Sequence, residues 1–270
     1  MHELYHGSYY TASDKAETSP DLTSIFEKAL KAIYDELVDV KDDIEPNLWK
    51  LSNDSLNEAI DIAFPGISYD DPDYEFVQEL KTNNKVFAAF KTHRQQNDLA
   101  AQLVDADGNL KSFTQFKIDT EAIIGEYNMN WLKTEYDTAV VRARMAARFK
   151  EFQRDADLYP NLKWTKSSSV VKRELHVSLY GLILPITDPF WTKFFPGNLW
   201  NCKCGITSTD EDANGQLYGI DQYDEPVPAG LDGNPAFTGK IYSDSNQYQQ
   251  QAFKGAKKAV KTFVKQQGKG

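Results

Sequence analysis

Cys202, Cys204 and His176 are the residues of this 270-residue chain whose types and spacing most readily support chemistry. Both cysteines fall in the segment WNCKCGITST, and His176 precedes them in VVKRELHVSLYG. Alternation in the first segment predicts a strand with Cys202 and Cys204 on one face, because strand side chains repeat every second residue. Thiolates and imidazole are good zinc ligands, but a structural zinc site needs four ligands in a tetrahedron, so a carboxylate would have to complete the set. The same residues fit a plainer arrangement, with two small thiols packed as apolar groups and His176 donating to a backbone carbonyl. A catalytic Cys–His pair would need a depressed thiol pKa and an orienting third group, and the sequence names neither. No Gly-rich phosphate loop, G-x-S-x-G or H-E-x-x-H occurs.

These residues lie in the stretch 159–210, which also holds Trp164, Trp191 and Trp200, three of the chain's 5 tryptophans. All three are expected in one core. Around it, 41% apolar and 13% aromatic residues argue for a globular protein. A net charge of −10 excludes general coating of nucleic acid or anionic membrane as the whole function. No run approaches the roughly 20 apolar residues of a membrane span. The N-terminus lacks the charged and apolar regions of a secretory signal. Two cysteines one residue apart make no disulfide framework, which points to a reducing compartment or one indifferent to redox. No internal repeat is visible.

The elements that must position the site are read in chain order as an α+β fold with a helical front half. Residues 1–20 are polar and read as an extended arm. Residues 21–124 form a helical region. Ile25, Phe26, Ala29, Leu30, Ile33 and Leu37 share one face of its first helix, and Pro46 starts a second that Pro65-Gly66 ends. The acidic group Asp70, Asp71, Asp73 and Glu75 reads as a solvated helix start rather than a calcium loop. A helix over 83–106 carries His93 on its polar side, as a surface histidine. The longest helical stretch runs from about Ser112 to Arg154, with Arg142, Arg144, Arg148, Lys150 and Arg154 in its second half. Such a basic run is usually a solvated face or a lattice for nearby acids, and the small alanines between the arginines favour close helix packing over phosphate binding. LKWTK is a short strand, the serine triplet 167–169 a turn or cap, VVKRELHVSLYG a helix ending at Gly181, LILPI a buried strand and PFWTKFF an amphipathic segment.

The order R-x-x-H, L-x-G, L-x-L-P-x-x-D-P-F-W and P-x-N/G-x-W-N-C-x-C resembles the Mu F-like (MuF) domain of minor head morphogenesis proteins in tailed phages and prophages. The matching residues are Arg173, His176, Leu179, Gly181, Leu182, Leu184, Pro185, Asp188, Pro189, Phe190, Trp191, Pro196, Trp200, Asn201, Cys202 and Cys204. The resemblance covers roughly residues 125–210, and GLDGNPAFTGKIYSD looks like a segment that follows the domain in some members. It departs at Tyr180, where the family usually has Asp. The resemblance implies a compact MuF-type domain with short strands, in a virion-internal protein beside the portal. Its implied partners are the portal protein, other head or capsid proteins and packaged DNA, with no membrane. Its implied roles are capsid morphogenesis and DNA packaging or ejection. It implies no established enzyme activity; no cofactor is expected, and zinc at His176, Cys202 and Cys204 is the metal that the residues' own chemistry allows.

Residues 211–248 are acidic and rich in Gly and Pro, and read as an extended loop laid over the domain. Residues 249–270 form a basic amphipathic tail, expected to be helical from about Gln249 to Gln266. Lys254, Lys257, Lys258, Lys261, Lys265 and Lys269 oppose a stripe of Phe253, Ala256, Val260, Phe263 and Val264. Without interleaved arginine or stacking aromatics, these lysines suit phosphates or acidic partners but not base reading. A second functional class remains: a NAD- or nucleotide-using transferase with its pocket around Arg173, His176 and the serine triplet. A concave pocket on which Arg173 and His176 converge separates that enzyme from a structural part with both side chains tied to partners.

Overall fold

The computed structural model describes residues 20–170, 174–224 and 226–268. The chain is a mixed α/β protein: helices first, a small antiparallel sheet next, and further helices at the C-terminal end. The helices of the front half are α1 (Pro20–Tyr34), α2 (Pro46–Ala63) and α3 (Tyr74–Ala100). After them α4 (Phe113–Ile124) runs through a π-helical segment, Gly125–Trp131, into α5 (Leu132–Arg154).

Local signals explain most of these boundaries. Glu45 caps α2 by accepting from the Leu48 N–H, and Pro46 occupies the first turn, where its missing N–H costs nothing. Ser112 caps α4 by accepting from Gln115. α1 stops at Tyr34 because Glu36 takes a left-handed φ of 55°. Leu37, expected on its apolar face, is therefore exposed.

α3 starts at Tyr74 rather than near Asn83, and its environment differs from the expectation. Asn84, Lys91, Thr92, His93, Gln95 and Gln96 are all buried along with its apolar residues. A helix buried nearly all round has no clear apolar stripe. His93 is accordingly not a surface histidine: it is 1% exposed, and its Nε2 meets the Lys41 carbonyl at 2.9 Å. Lys91 pairs with Glu135 of α5, whose other carboxylate oxygen accepts from the Tyr248 hydroxyl at 2.7 Å.

The sheet contains β1 (Asn161–Thr165), β2 (Ile183–Pro185) and β3 (Gly205–Thr209), in the order β2-β1-β3 with both pairings antiparallel. Leu162 pairs with Leu184 and Trp164 with Ile206, so the two buried residues of β1 point to the same core. Short helices α6 (Glu174–Val177) and α7 (Phe190–Lys193) flank β2. Beyond β3 come two single 3-10 turns, then α8 (Pro235–Thr238), α9 (Gln247–Gln250) and α10 (Ala256–Gln267).

α5 serves two cores at once. Tyr136, Ala139 and Ala143 pack into a helical core with Leu56, Ile60 and Phe87. One turn further, Met145, Ala146 and Phe149 pack with Trp164, Trp191, Phe195 and the two cysteines. Trp200 does not join Trp164 and Trp191: half-buried, it stacks near Tyr242 on the helical core, with ring centroids 6.1 Å apart.

The segment 211–248 is inserted into the protein as well as laid over it. Leu231, Ile241 and Tyr242 are fully buried, and the Tyr242 ring stacks on Phe87 at 3.9 Å. The C-terminal helix is broken where one continuous helix was expected. Gly255 takes a φ of 98° between α9 and α10, and Phe253 is exposed. α10 still docks by its apolar face: Ala256, Ala259 and Val260 are buried, and Phe263 meets Trp49 edge-on at 4.9 Å.

Candidate functional site

The sheet core brings together the residues that the sequence singled out. His176 sits in the single turn of α6, 4% exposed, with its ring edge-on to Trp164 at 5.3 Å. Its Nδ1 lies 3.3 Å from Cys202 Sγ and 3.3 Å from Cys204 Sγ. Its Nε2 lies 3.0 Å from Asn198 Oδ1, which accepts from it and fixes the ring. The ligand atoms of His176, Cys202 and Cys204 all lie within 4.8 Å of one another.

The cysteines reach this arrangement by a turn, not a strand. β3 begins only at Gly205, after both of them. Asn201 takes a left-handed φ of 57°, and the Cys202 N–H donates to the Leu199 carbonyl at 3.0 Å. The Cys204 N–H then points back to Cys202 Sγ at 3.5 Å. Strand alternation was the wrong reason for two thiols on one side; a turn with an N–H···S contact produces the same result. The Asn201 N–H also donates to the Thr138 hydroxyl at 3.1 Å, which ties this turn to α5.

The electrostatics of the pair are unequal. Cys202 is held down to about 4, chiefly because the Cys204 thiol donates to it, with His176 helping and burial opposing. Cys204 is pushed upward by the same hydrogen bond and by its burial. The cluster is thus a buried set of two cysteine sulfurs and an imidazole, and each member is also a metal-ligating group.

The remaining motif residues hold this centre in shape. Leu179 is buried beneath it, and Gly181, with a φ of 87°, turns the chain so that its N–H donates to the Trp164 carbonyl at 2.9 Å. Asp188 Oδ1 accepts from the Phe190 N–H at 2.8 Å, and Pro189 precedes α7. Phe190 and Trp191 are buried, and Trp191 Nε1 donates to the Pro185 carbonyl at 2.9 Å. Pro196 is buried as well. Arg173 lies outside the described residues. The exposed lysines Lys254, Lys257, Lys258, Lys261 and Lys265 lie well apart from the centre in sequence, on or beside α10, where Lys258 pairs with Asp42 at 3.0 Å.

Three contributions were not read from the sequence. Asn198, in the loop Pro196-Gly197-Asn198, fills the N/G position of the P-x-N/G-x-W motif, but its role in orienting His176 was not read from it. Arg142 is not on a solvated face: it is 1% exposed, donates to backbone carbonyls of Ile241, Gly197, Leu231 and Gly233, and has the Asp232 carboxylate near enough to favour its charge. Burial lowers its pKa to about 10. Its flanking alanines, Ala139, Ala143 and Ala146, were the available signal, since small neighbours let other backbone approach. Third, the indole N–H of Trp164 and the hydroxyl of Tyr180 are buried without a well-formed hydrogen bond, and both face Cys204.

Against known proteins, the chain is distantly homologous to the Mu-like phage F proteins. It is 31% identical over 104 residues to "Putative capsid assembly protein F" of Escherichia phage Mu, a match covering 38% of this chain and 21% of that protein. It is 29% identical over 80 residues to the Mu-like prophage FluMu F protein of Haemophilus influenzae, covering 30% of this chain and 19% of that protein. The match thus spans about a fifth of the length of these curated relatives. No protein-family model matches the chain, and no solved structure does.

Proposed function

We propose that the chain is a minor head protein of a tailed phage or prophage, built into the capsid interior near the portal and acting in head assembly and DNA packaging or ejection. The observation that carries this reading is the similarity to a protein described as a capsid assembly protein, together with the motif set from His176 to Cys204. On this reading the segment 125–210 is a rigid MuF-type unit, and the helical region 21–124 contacts the portal or neighbouring copies. The host cytoplasm is where the protein is made and assembled. The lysines Lys254, Lys257, Lys258, Lys261 and Lys265 face packaged DNA and neutralise phosphates without reading sequence.

A transferase centred on Arg173 and His176 gains no support from the geometry. His176 is buried, and both its ring nitrogens are engaged by side chains of the same core.

Deleting the coding sequence from its phage or prophage, and supplying it in trans, tests the proposal. The deletion should lower the yield of infectious, DNA-filled particles while leaving genome replication intact. An undiminished yield of infectious particles would overturn it.

A further inference from the structure

We propose that His176, Cys202 and Cys204 hold one zinc ion, with Trp164 and Tyr180 donating hydrogen bonds to the Cys204 sulfur and solvent at the fourth position. The ion would tie α6 to the turn that leads into β3.

The donor set has the dimensions of a zinc site before any ion is added. Zn–N of about 2.0 Å and Zn–S of about 2.3 Å at a tetrahedral angle give an N···S separation of roughly 3.5 Å. Both N···S separations from His176 Nδ1 are 3.3 Å, so seating the ion needs only a few tenths of an ångström of movement, on the order of the scatter allowed for such sites. The imidazole is presented correctly. Asn198 Oδ1 accepts from the Nε2 side at 3.0 Å, which leaves the Nδ1 lone pair directed at the sulfurs. A second group accepting the far ring N–H is the usual device for fixing a ligating histidine. The N–H of Cys204 aimed at Cys202 Sγ at 3.5 Å supports a sulfur that carries negative charge.

A second, independent observation comes from the groups around the cysteines. The Trp164 N–H and the Tyr180 O–H are buried and lack a well-formed partner, although buried donors are ordinarily satisfied. Both face Cys204. A neutral Cys204 sulfur, the group both donors face, is only a weak acceptor. A zinc-bound thiolate gives both of them a charged sulfur to donate to. Charge also balances. Zinc carries two positive charges, the two cysteine sulfurs lose their protons to solvent and become thiolates, and with the neutral imidazole the set has no net charge. An uncharged centre suits a site lined by Trp164, Leu179, Leu182 and Trp191. Thiolate and imidazole donors select zinc over magnesium or calcium, which favour oxygen.

The test uses the full chain, expressed in zinc-supplemented medium and purified without chelator. Elemental analysis should give about one equivalent of zinc per chain. Replacement by cobalt should give the visible bands of a tetrahedral ion, with thiolate-to-cobalt charge transfer in the near ultraviolet. C202S and H176N should each lose the metal, and Y180F should weaken zinc in competition with a colorimetric chelator by about tenfold or more. Chelation of the wild-type protein should lower its melting temperature, and added zinc should restore it. Wild-type protein with well under about half an equivalent of metal and no tetrahedral cobalt spectrum would overturn the proposal, even if the cysteine variants fail to fold. One equivalent of zinc retained by folded C202S would overturn it as well.

Discussion

Arg142 Nη1 donates to the Gly197 carbonyl at 3.2 Å, and a Cβ added to Gly197 would lie 2.7 Å from Arg142 Cγ. The guanidinium and the glycine are therefore fitted to each other at the place where α5 meets the loop that carries Asn198. Through its other N–H groups Arg142 also holds the carbonyls of Ile241, Leu231 and Gly233. One side chain thus fastens the site loop and the late segment 231–241 to the longest helix.

R142M should cost at least about 3 kcal/mol, because it leaves buried carbonyls without donors. R142K should recover little of this, since an ammonium cannot reproduce the planar, forked set of donors. G197A should cost about 1–3 kcal/mol from its φ of 97° and the close approach to Arg142. Urea unfolding of the three variants measures these costs. A wild-type midpoint for R142K would contradict the role given to the fork.

The Lys91–Glu135 pair makes the second prediction. Both side chains are buried, and the Tyr248 and Tyr242 hydroxyls donate to Glu135 side-chain and backbone oxygens. K91M should destabilise by about 3–5 kcal/mol, because it leaves a buried carboxylate without its cation. K91M/E135L should cost less than the two single changes added together. A double-mutant cycle by denaturant unfolding checks this, and strict additivity would show that the pair is uncoupled.

Trp191 is fully buried between α7 and the sheet, with its N–H on the Pro185 carbonyl. W191A should cost about 3–5 kcal/mol, as for other large aromatic truncations. Soluble W191A protein with an unchanged melting temperature would refute its place in the core.

How much of this was legible beforehand depended on the kind of residue. The helix before Pro65, the long stretch from Ser112 to Arg154 and the strands LKWTK and LILPI carried caps, breakers or periods that tertiary packing did not override. The meeting of His176 with Cys202 and Cys204 was also legible, because their types are rare and they lie close in sequence. What failed was mostly buried polarity. Along α3, His93 reads as a surface residue on a polar side, yet it is buried, as are Lys91, Gln95 and Gln96. Arg142 was hidden in the same way, since its partners are backbone carbonyls, which no side-chain pattern advertises. Gly255 shows a third limit: its neighbours fit a helical stripe, and only its φ of 98° reveals the break.

Acid sensitivity follows from the loop carboxylates. The Asp105 carboxylate accepts N–H donation from Asn109 and Asp107, the first being the larger cause, and is held below its ordinary range. A depressed folded pKa contributes stability above the unfolded value of about 3.9, and that contribution is lost as pH falls through the folded value. The stability difference between wild type and D105N should therefore shrink as the pH is lowered from neutrality to below about 3.9. Unfolding free energies measured across that range check this, and a difference constant down to the lowest pH would contradict it.

The lysine face of α10 offers a test that spares the docked side of the helix. Lys254, Lys257, Lys261 and Lys265 are exposed, whereas Lys258 pairs with Asp42. Replacing those four lysines by Gln should weaken binding to duplex DNA and reduce the salt slope by up to about 0.9 for each phosphate no longer neutralised. Fluorescence anisotropy across a salt series reads both quantities. An unchanged affinity and slope would show that these lysines do not meet DNA.

The central claim is that this chain is a built-in part of a phage head. Quantitative mass spectrometry of purified, DNA-filled heads tests it most directly. The account predicts peptides of this chain in a fixed, small ratio to the portal protein, retained through washing at high salt. Heads that lack the chain while it is abundant in the surrounding lysate would contradict it.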